Sequence, residues 1–340
     1  ALTQAIHLTP TSLKFPIMII IIIIIKSRIL VLATLTTLLL SACVSEKPVT
    51  TSPATSAVAG TVKIATAFYP LEYAATKAGG DKVSVSNLTL PGQEPHDLEL
   101  TPQQIASLEE ADLVVYLRGF QPAVDKAVEQ SGIKHKLDLS QVIQLHPAAE
   151  DHDHGSGEED GEDHGHGSTD PHFWLDPTLE AKALGAIADE LTKIDAGGKA
   201  SFEANAKTVS DELSSLDRDY TTGLANCQVK TIITTHAAFG YLSERYGLEQ
   251  AGISGLSPNE QPSPSRITKV QEEAREHNVN TIFFETLTSD EMATSIAGDL
   301  GLKTAVLDPL EGITEASPGR DYPSVMKANL DAIKQANGCS

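Results

Sequence analysis

The chain has 340 residues, 41% of them hydrophobic, which is enough apolar material for one or two globular domains. Its 25 Lys and Arg stand against 46 Asp and Glu, a formal net charge of −21. That balance excludes nucleic acid as a partner, because phosphate contacts need a basic face, and it suits cations as ligands.

At the N-terminus Lys26 and Arg28 precede the apolar run ILVLATLTTLLL, and Leu40-Ser41-Ala42 leads into Cys43. A basic region, a short apolar region and small residues before a cut describe a secretory signal over residues 1–42. A cysteine after Leu-Ser-Ala resembles a bacterial lipobox, which implies cleavage before Cys43 and diacylglycerol on its sulfur. A transmembrane anchor stays open as the alternative, since Ile17 to Leu40 is long enough to span a bilayer. Both readings put the domain outside the cytoplasm. The first roughly 25 residues, which end in an isoleucine run, read as sequence upstream of the true start. The remainder of 43–61 is rich in Ser, Thr, Pro and Ala without apolar periodicity, so it reads as a solvated tether.

From residue 62 the pattern changes. VKIATAF (62–68) is expected as a strand and the stretch to Ala78 as a helix ended by Gly79-Gly80. VSVSNLTL (83–90) is a second strand, and Thr101-Pro102-Gln103-Gln104 carries a capping box with Pro in the first turn. ADLVVYL (111–117) reads as a buried strand and Gln121 to Gln130 as a helix. Asp176-Pro177 caps a helix with Leu179, Ala183, Ile187, Leu191 and Ile194 on one face. After Gly197-Gly198, Phe202, Val209, Leu213 and Leu216 mark a long amphipathic helix. Alternation then resumes with strands at 230–235, 248–254, 281–285 and 304–309, and a last helix at 322–337. Strand alternating with helix is the signature of parallel sheets. The expected architecture is two α/β lobes, 62–195 and 222–340, joined by a linker helix over 196–221.

Cys227 and Cys339 lack metal-type spacing. In an exported protein such a pair reads as a disulfide, with two free thiols as the alternative.

In open α/β sheets ligands bind at the carboxyl ends of strands. His96 follows the second strand in LPGQEPHDLEL, and His236 follows KTIITT directly. Glu285 ends TIFFE, Asp308 ends TAVL, and His172 lies in DPHFWLDP before a capped helix. Each alone is an ordinary strand-end residue, so the case rests on the set.

At these residues the chain resembles the zinc/manganese solute-binding proteins of bacterial ABC transporters, the ZnuA/TroA type. The matching motifs are PHDLEL, an acidic His-rich loop, DPHFWLDP, THAAFGYL and LDPLEG, in family order over nearly all of 62–340. The resemblance implies two α/β lobes on a rigid linker helix with one metal in the cleft between them. It implies His96, His172 and His236 as ligands and Asp308 as the completing carboxylate, with Glu285 holding a ligand from behind. It also implies a monomer that docks on a membrane permease, held to the membrane by its lipid. Three nitrogens and one oxygen favour Zn²⁺ over Mn²⁺, which prefers more oxygen. A zinc hydrolase or a surface adhesin is the rival class, but a filled set of four ligands suits binding and release rather than turnover, so no enzyme activity is expected.

The loop at 148–169 holds His152, His154, His164 and His166 among acids, with no apolar residue beyond glycine from 150 to 167. It cannot pack, so disorder and weak accessory metal capture are expected of it. His135, His146 and His277 read as surface histidines, outside the site.

Overall fold

The computed structural model describes residues 60–148 and 169–340. The expected signal segment, Cys43, the expected tether and the four histidines of the acidic loop lie outside the described residues.

Two four-stranded parallel sheets form the frame. The first contains β1 (Val62–Thr66), β2 (Val83–Asn87), β3 (Leu113–Tyr116) and β4 (His135–Asp138), in the order β2-β1-β3-β4. The second contains β5 (Thr231–Thr234), β6 (Glu249–Gly252), β7 (Thr281–Phe284) and β8 (Lys303–Val306), in the order β6-β5-β7-β8. The second sheet repeats the topology of the first. The central strands read as unbroken apolar runs, as expected where helices cover both faces: Ile64 pairs with Leu113, and Ile233 with Ile282. Strand β4 escapes the sequence pattern, because His135-Lys136-Leu137-Asp138 is charged. It sits at the sheet edge, where charged side chains protect unpaired backbone groups.

Several helices begin where Pro follows a capping residue. Thr101 closes its box with Gln104 ahead of α2 (Pro102–Glu109), and Asp176 accepts from Thr178 N at the start of α4 (Pro177–Ile194). Ser263 caps α7 (Pro264–Glu276) through Arg266 N. The other helices are α1 (Tyr69–Gly79), α3 (Pro122–Gln130), α6 (Gly240–Tyr246), α8 (Glu291–Leu300) and α9 (Tyr322–Asn337).

Helix α5, Lys199–Gly223, is the long link between the lobes. Its Phe202, Val209, Leu213, Leu216 and Tyr220 are buried. It is attached to both lobes. Asn205 Nδ2 donates to the Ala78 carbonyl of α1 at 3.1 Å, and Tyr220 OH donates to the Met326 carbonyl of α9 at 2.6 Å. One apolar core runs from the first sheet through α4 and α5 to Tyr241, Tyr322 and Met326 of the second lobe. A smaller core around Ile233, Val270 and Ile282 belongs to the second lobe alone. Removing one such fully buried aliphatic side chain costs about 2–5 kcal/mol.

Cys227 and Cys339 are disulfide-bonded across 112 residues, tying the start of the second lobe to its last helix. On the chain-entropy account a loop of that length contributes about 4–5 kcal/mol.

Candidate metal centre

Four side chains converge where the carboxyl ends of strands from both sheets face each other: His96, His172, His236 and Glu311. Each arrives by a different local device.

His96 stands on the loop after β2. Gln121 Nε2 holds that loop by donating to Thr89 Oγ1 at 3.0 Å and to the Pro95 carbonyl at 3.1 Å. The Phe120 ring meets the imidazole edge-on, with centroids 4.8 Å apart.

His172 sits on the turn before the 3₁₀ segment Phe173–Leu175. Asp170 Oδ1 accepts both its backbone N–H at 2.9 Å and its Nδ1 at 2.7 Å. Tyr241 OH fixes Asp170 in turn, donating to its carbonyl at 2.8 Å. Gly240 leaves room for this carboxylate, since a Cβ there would lie 2.7 Å from Asp170 Oδ2.

His236 follows β5. Its Nδ1 donates to Glu285 Oε1 at 2.9 Å, and its carbonyl accepts from Thr234 Oγ1 at 2.7 Å. The loop lies so close to β6 that a Cβ on Gly252 would come within 3.0 Å of Ala237 N.

Glu311 ends a tight turn after β8. Its Oε1 lies 3.2 Å from His96 Nε2, 3.1 Å from His172 Nε2 and 3.2 Å from His236 Nε2. The last contact lacks hydrogen-bond geometry, so among the described residues His236 Nε2 has no hydrogen-bond partner, and neither has Glu311 Oε2. The Nε2 atoms of His96 and His172 are 3.4 Å apart. These four separations lie near the edges, about 3.3–3.4 Å, of a tetrahedron with metal–nitrogen bonds of about 2.0–2.1 Å, and all four ligand atoms lie within 4.8 Å of one another.

Two carboxylates therefore fix two imidazole tautomers. Asp170 and Glu285 take the Nδ1 protons and leave Nε2 of His172 and His236 facing the centre. Hydrogen bonds of this kind orient metal-binding histidines and raise their basicity.

The electrostatics follow from burial and mutual charge. Burial alone would lower the pKa of His172, but the hydrogen bonds to Asp170 and Glu311 raise it above the ordinary imidazole value. Burial likewise opposes charge on His236, yet the carboxylates of Glu285 and Glu311 bring it up to about 10. For Glu311, burial pushes upward, while the charge on His236 and the hydrogen bonds from the imidazoles hold the carboxyl well below its usual range. A fully buried carboxylate is tolerable here because the imidazoles share protons with it.

Of the residues expected from sequence, His96, His172 and His236 come together, and Glu285 stands behind His236. Asp308 does not reach the centre. Its Oδ1 accepts Leu310 N at 2.8 Å and its Oδ2 accepts Thr286 Oγ1 at 3.0 Å. Its backbone N–H and carbonyl are both held by the Asn329 amide, at 3.0 and 2.7 Å. Asp308 thus builds the turn, Leu310 takes a left-handed φ of 61°, and the chain delivers Glu311 instead. Two acids three residues apart in LDPLEG made the wrong one legible, because strand-end position favours Asp308. Asp170, which holds His172 from behind, is also missing from the expected set. Its signal was present as an acid two residues before His172, with Pro between. Among the other histidines, His135 pairs with Glu190 and His146 stacks on Tyr241, both away from the centre.

The model of the family described as zinc-uptake complex component A, periplasmic (ZnuA), matches residues 64–336. The chain is 37% identical over 279 residues to the high-affinity zinc uptake system protein ZnuA of Bacillus subtilis strain 168, covering 80% of this chain and 86% of that one. It is 35% identical over 319 residues to the zinc-binding lipoprotein AdcA of Streptococcus pneumoniae strain R6, covering 91% of this chain but only 61% of AdcA. Among solved structures, the Zn(II)-bound ZnuA-like domain of S. pneumoniae AdcA matches with a TM-score of 0.67 at 33% identity, covering 82% of this chain and 99% of that one. The laminin-binding protein Lmb of Streptococcus agalactiae, described as a bifunctional protein with adhesin and metal transporting activity, matches with a TM-score of 0.71 at 30% identity, covering 81% of this chain and 99% of that one. With its two parallel-sheet lobes and its buried cluster of three histidines and a glutamate, the chain belongs to the ZnuA family of zinc-uptake components.

Proposed function

We propose that this protein is the extracytoplasmic solute-binding component of an ABC transporter, which captures Zn²⁺ and presents it to a membrane permease. The observation that carries the reading is the set of three Nε2 atoms around Glu311 Oε1 at 3.1–3.2 Å. Zn²⁺ accepts such a four-ligand set of nitrogen and carboxylate readily, whereas Mn²⁺ favours sites richer in oxygen. The filled set leaves no position for a reacting water, which supports capture and release rather than hydrolysis. Export and lipid attachment at Cys43 complete the reading, with a monomer held at the membrane and the acidic His-rich loop as weak accessory capture.

Titrating the chain from residue 44 with Zn²⁺ and Mn²⁺ in turn, against a competing chelator, tests this. One tight zinc ion that Mn²⁺ does not displace is the expected result. Preference for Mn²⁺, or no tight ion, would overturn it.

Loading is also expected to expel protons. The pKa of His236 is raised to about 10 in the metal-free site, so this imidazole is charged at neutral pH. A ligand must be neutral, and Glu285 retains the Nδ1 proton, so the proton on Nε2 is the one lost. Apparent zinc affinity should therefore rise with pH from neutral towards about 10. Calorimetry in buffers of different ionisation enthalpy measures the release. No released proton at pH 7.5 would contradict the charge arrangement described.

A further inference from the structure

Trp174 stands two residues after His172 and is the only tryptophan of the chain. It is fully buried, with the rings of Phe68 and Phe120 at 4.9 and 5.8 Å between centroids. Tyr322 OH of α9 donates to its carbonyl. A buried indole N–H needs an acceptor. Here the acceptor is the Pro309 carbonyl, at 2.8 Å, on the turn that follows β8 of the other sheet. Pro309 in turn stands two residues before Glu311. The bond thus joins the segment that carries His172 to the segment that carries Glu311.

The Pro309 carbonyl belongs to the same peptide unit as the Leu310 N–H, which donates to Asp308 Oδ1 at 2.8 Å. A trans peptide directs these two groups to opposite sides, so bonds at both ends fix its plane. Rotating that plane changes φ of Leu310. The left-handed value of 61° is one that leucine holds only under constraint. One constraint, Asp308, is local to the turn. The other, Trp174, comes from the opposite half of the molecule.

We propose that Trp174 is a positioning residue for the metal centre: its indole N–H holds the peptide that turns the chain into Glu311, so a contact from the His172 segment aims the carboxylate. The proposal rests on the metal-binding reading above. Two of the four groups at the centre are then set by one side chain. Trp174 continues the backbone of His172 and clamps the turn that delivers Glu311.

Because Trp174 is the sole tryptophan, replacing tryptophan throughout the protein with benzothienylalanine changes this residue alone. The analogue keeps the fused-ring frame and puts sulfur where the N–H stands. Zinc affinity, measured by chelator competition, should fall about three- to tenfold, the worth of one buried hydrogen bond. In a Glu311→Ala background the analogue should have no further effect, because no carboxylate remains to be aimed. In the unaltered metal-free protein, isotope labelling of the indole nitrogen should give one N–H signal that exchanges slowly with heavy water. A residue that only packs would lower the thermal midpoint of the metal-free protein and leave zinc affinity unchanged, and that result would overturn the proposal. So would an undiminished loss in the Glu311→Ala background, or an indole N–H that exchanges as fast as that of free tryptophan. Failure of the unaltered protein to bind zinc tightly would instead remove the reading beneath it.

Discussion

His236→Ala should lower zinc affinity by roughly two to three orders of magnitude, while deletion of residues 150–167 leaves it within a few-fold. A closed zinc site contributes about 10–16 kcal/mol, so each of four ligands accounts for about 2.5–4 kcal/mol. At about 1.4 kcal/mol per tenfold, that is roughly a 10²- to 10³-fold loss. His236 carries this share because Glu285 and Thr234 fix its ring and backbone before any metal arrives. The acidic loop is expected from its sequence to lack packing partners, and on that expectation ordering it around an ion would cost backbone entropy of about 1–2 kcal/mol per residue. Competition with a chelator of known affinity measures both variants. Equal losses would mean that the tight ion is held by the loop, and the buried centre would lose its assignment.

Glu311 and Asp308 should separate cleanly under conservative substitution. Glu311→Gln keeps the shape but removes the charge that three imidazoles surround, and is expected to cost zinc affinity about 100-fold, roughly 2–3 kcal/mol. Asp308→Ala should also weaken zinc, because Leu310 N and Thr286 lose their acceptor and the left-handed turn is left unsupported. A left-handed non-glycine residue costs on the order of 1–3 kcal/mol and persists only where its surroundings hold it. Asp308→Asn, however, retains the oxygen that accepts Leu310 N and can exchange hydrogen-bond direction with the Thr286 hydroxyl. It should restore most of the affinity that Asp308→Ala loses. If Asp308→Asn were as damaging as Glu311→Gln, Asp308 would be acting as a ligand and the geometry of the turn would be wrong.

Much of the frame is legible in the sequence because local signals agree there with the tertiary outcome. Thr101-Pro102, Asp176-Pro177 and Ser263-Pro264 each announce a helix start that the structure shows. The apolar runs at 62–68, 111–117 and 281–285 are central strands, buried by helices on both faces. Strand β4 is illegible for the opposite reason: its pairing to β3 comes from position, and its side chains answer to solvent. The three histidines stand out because they fall at strand ends or before a capped helix. Glu311 does not, since nothing in LDPLEG announces that Leu310 reverses the chain. Which of two neighbouring acids points inward is decided by one φ angle and by Asn329, which is distant in sequence. Asp170 and Glu285 act through hydrogen bonds to ring nitrogens, and that kind of pairing has no sequence period.

The attachment of α5 at both ends bears on how a loaded molecule differs from an empty one. Between Asn205 and Tyr220 the helix spans about 22 Å at about 1.5 Å per residue, one end fastened to each lobe. Swinging the lobes apart would pull Tyr220 from Met326 and wet a core that both lobes share. On the function proposed above, a difference between loaded and empty forms would therefore fall on the short loops that flank the centre, around Asp97, Asn259 and the Asp308–Glu311 turn, rather than on the outline of the molecule. The permease of the proposed reading would then have a local relief to read, carried on a body that serves as a fixed mount.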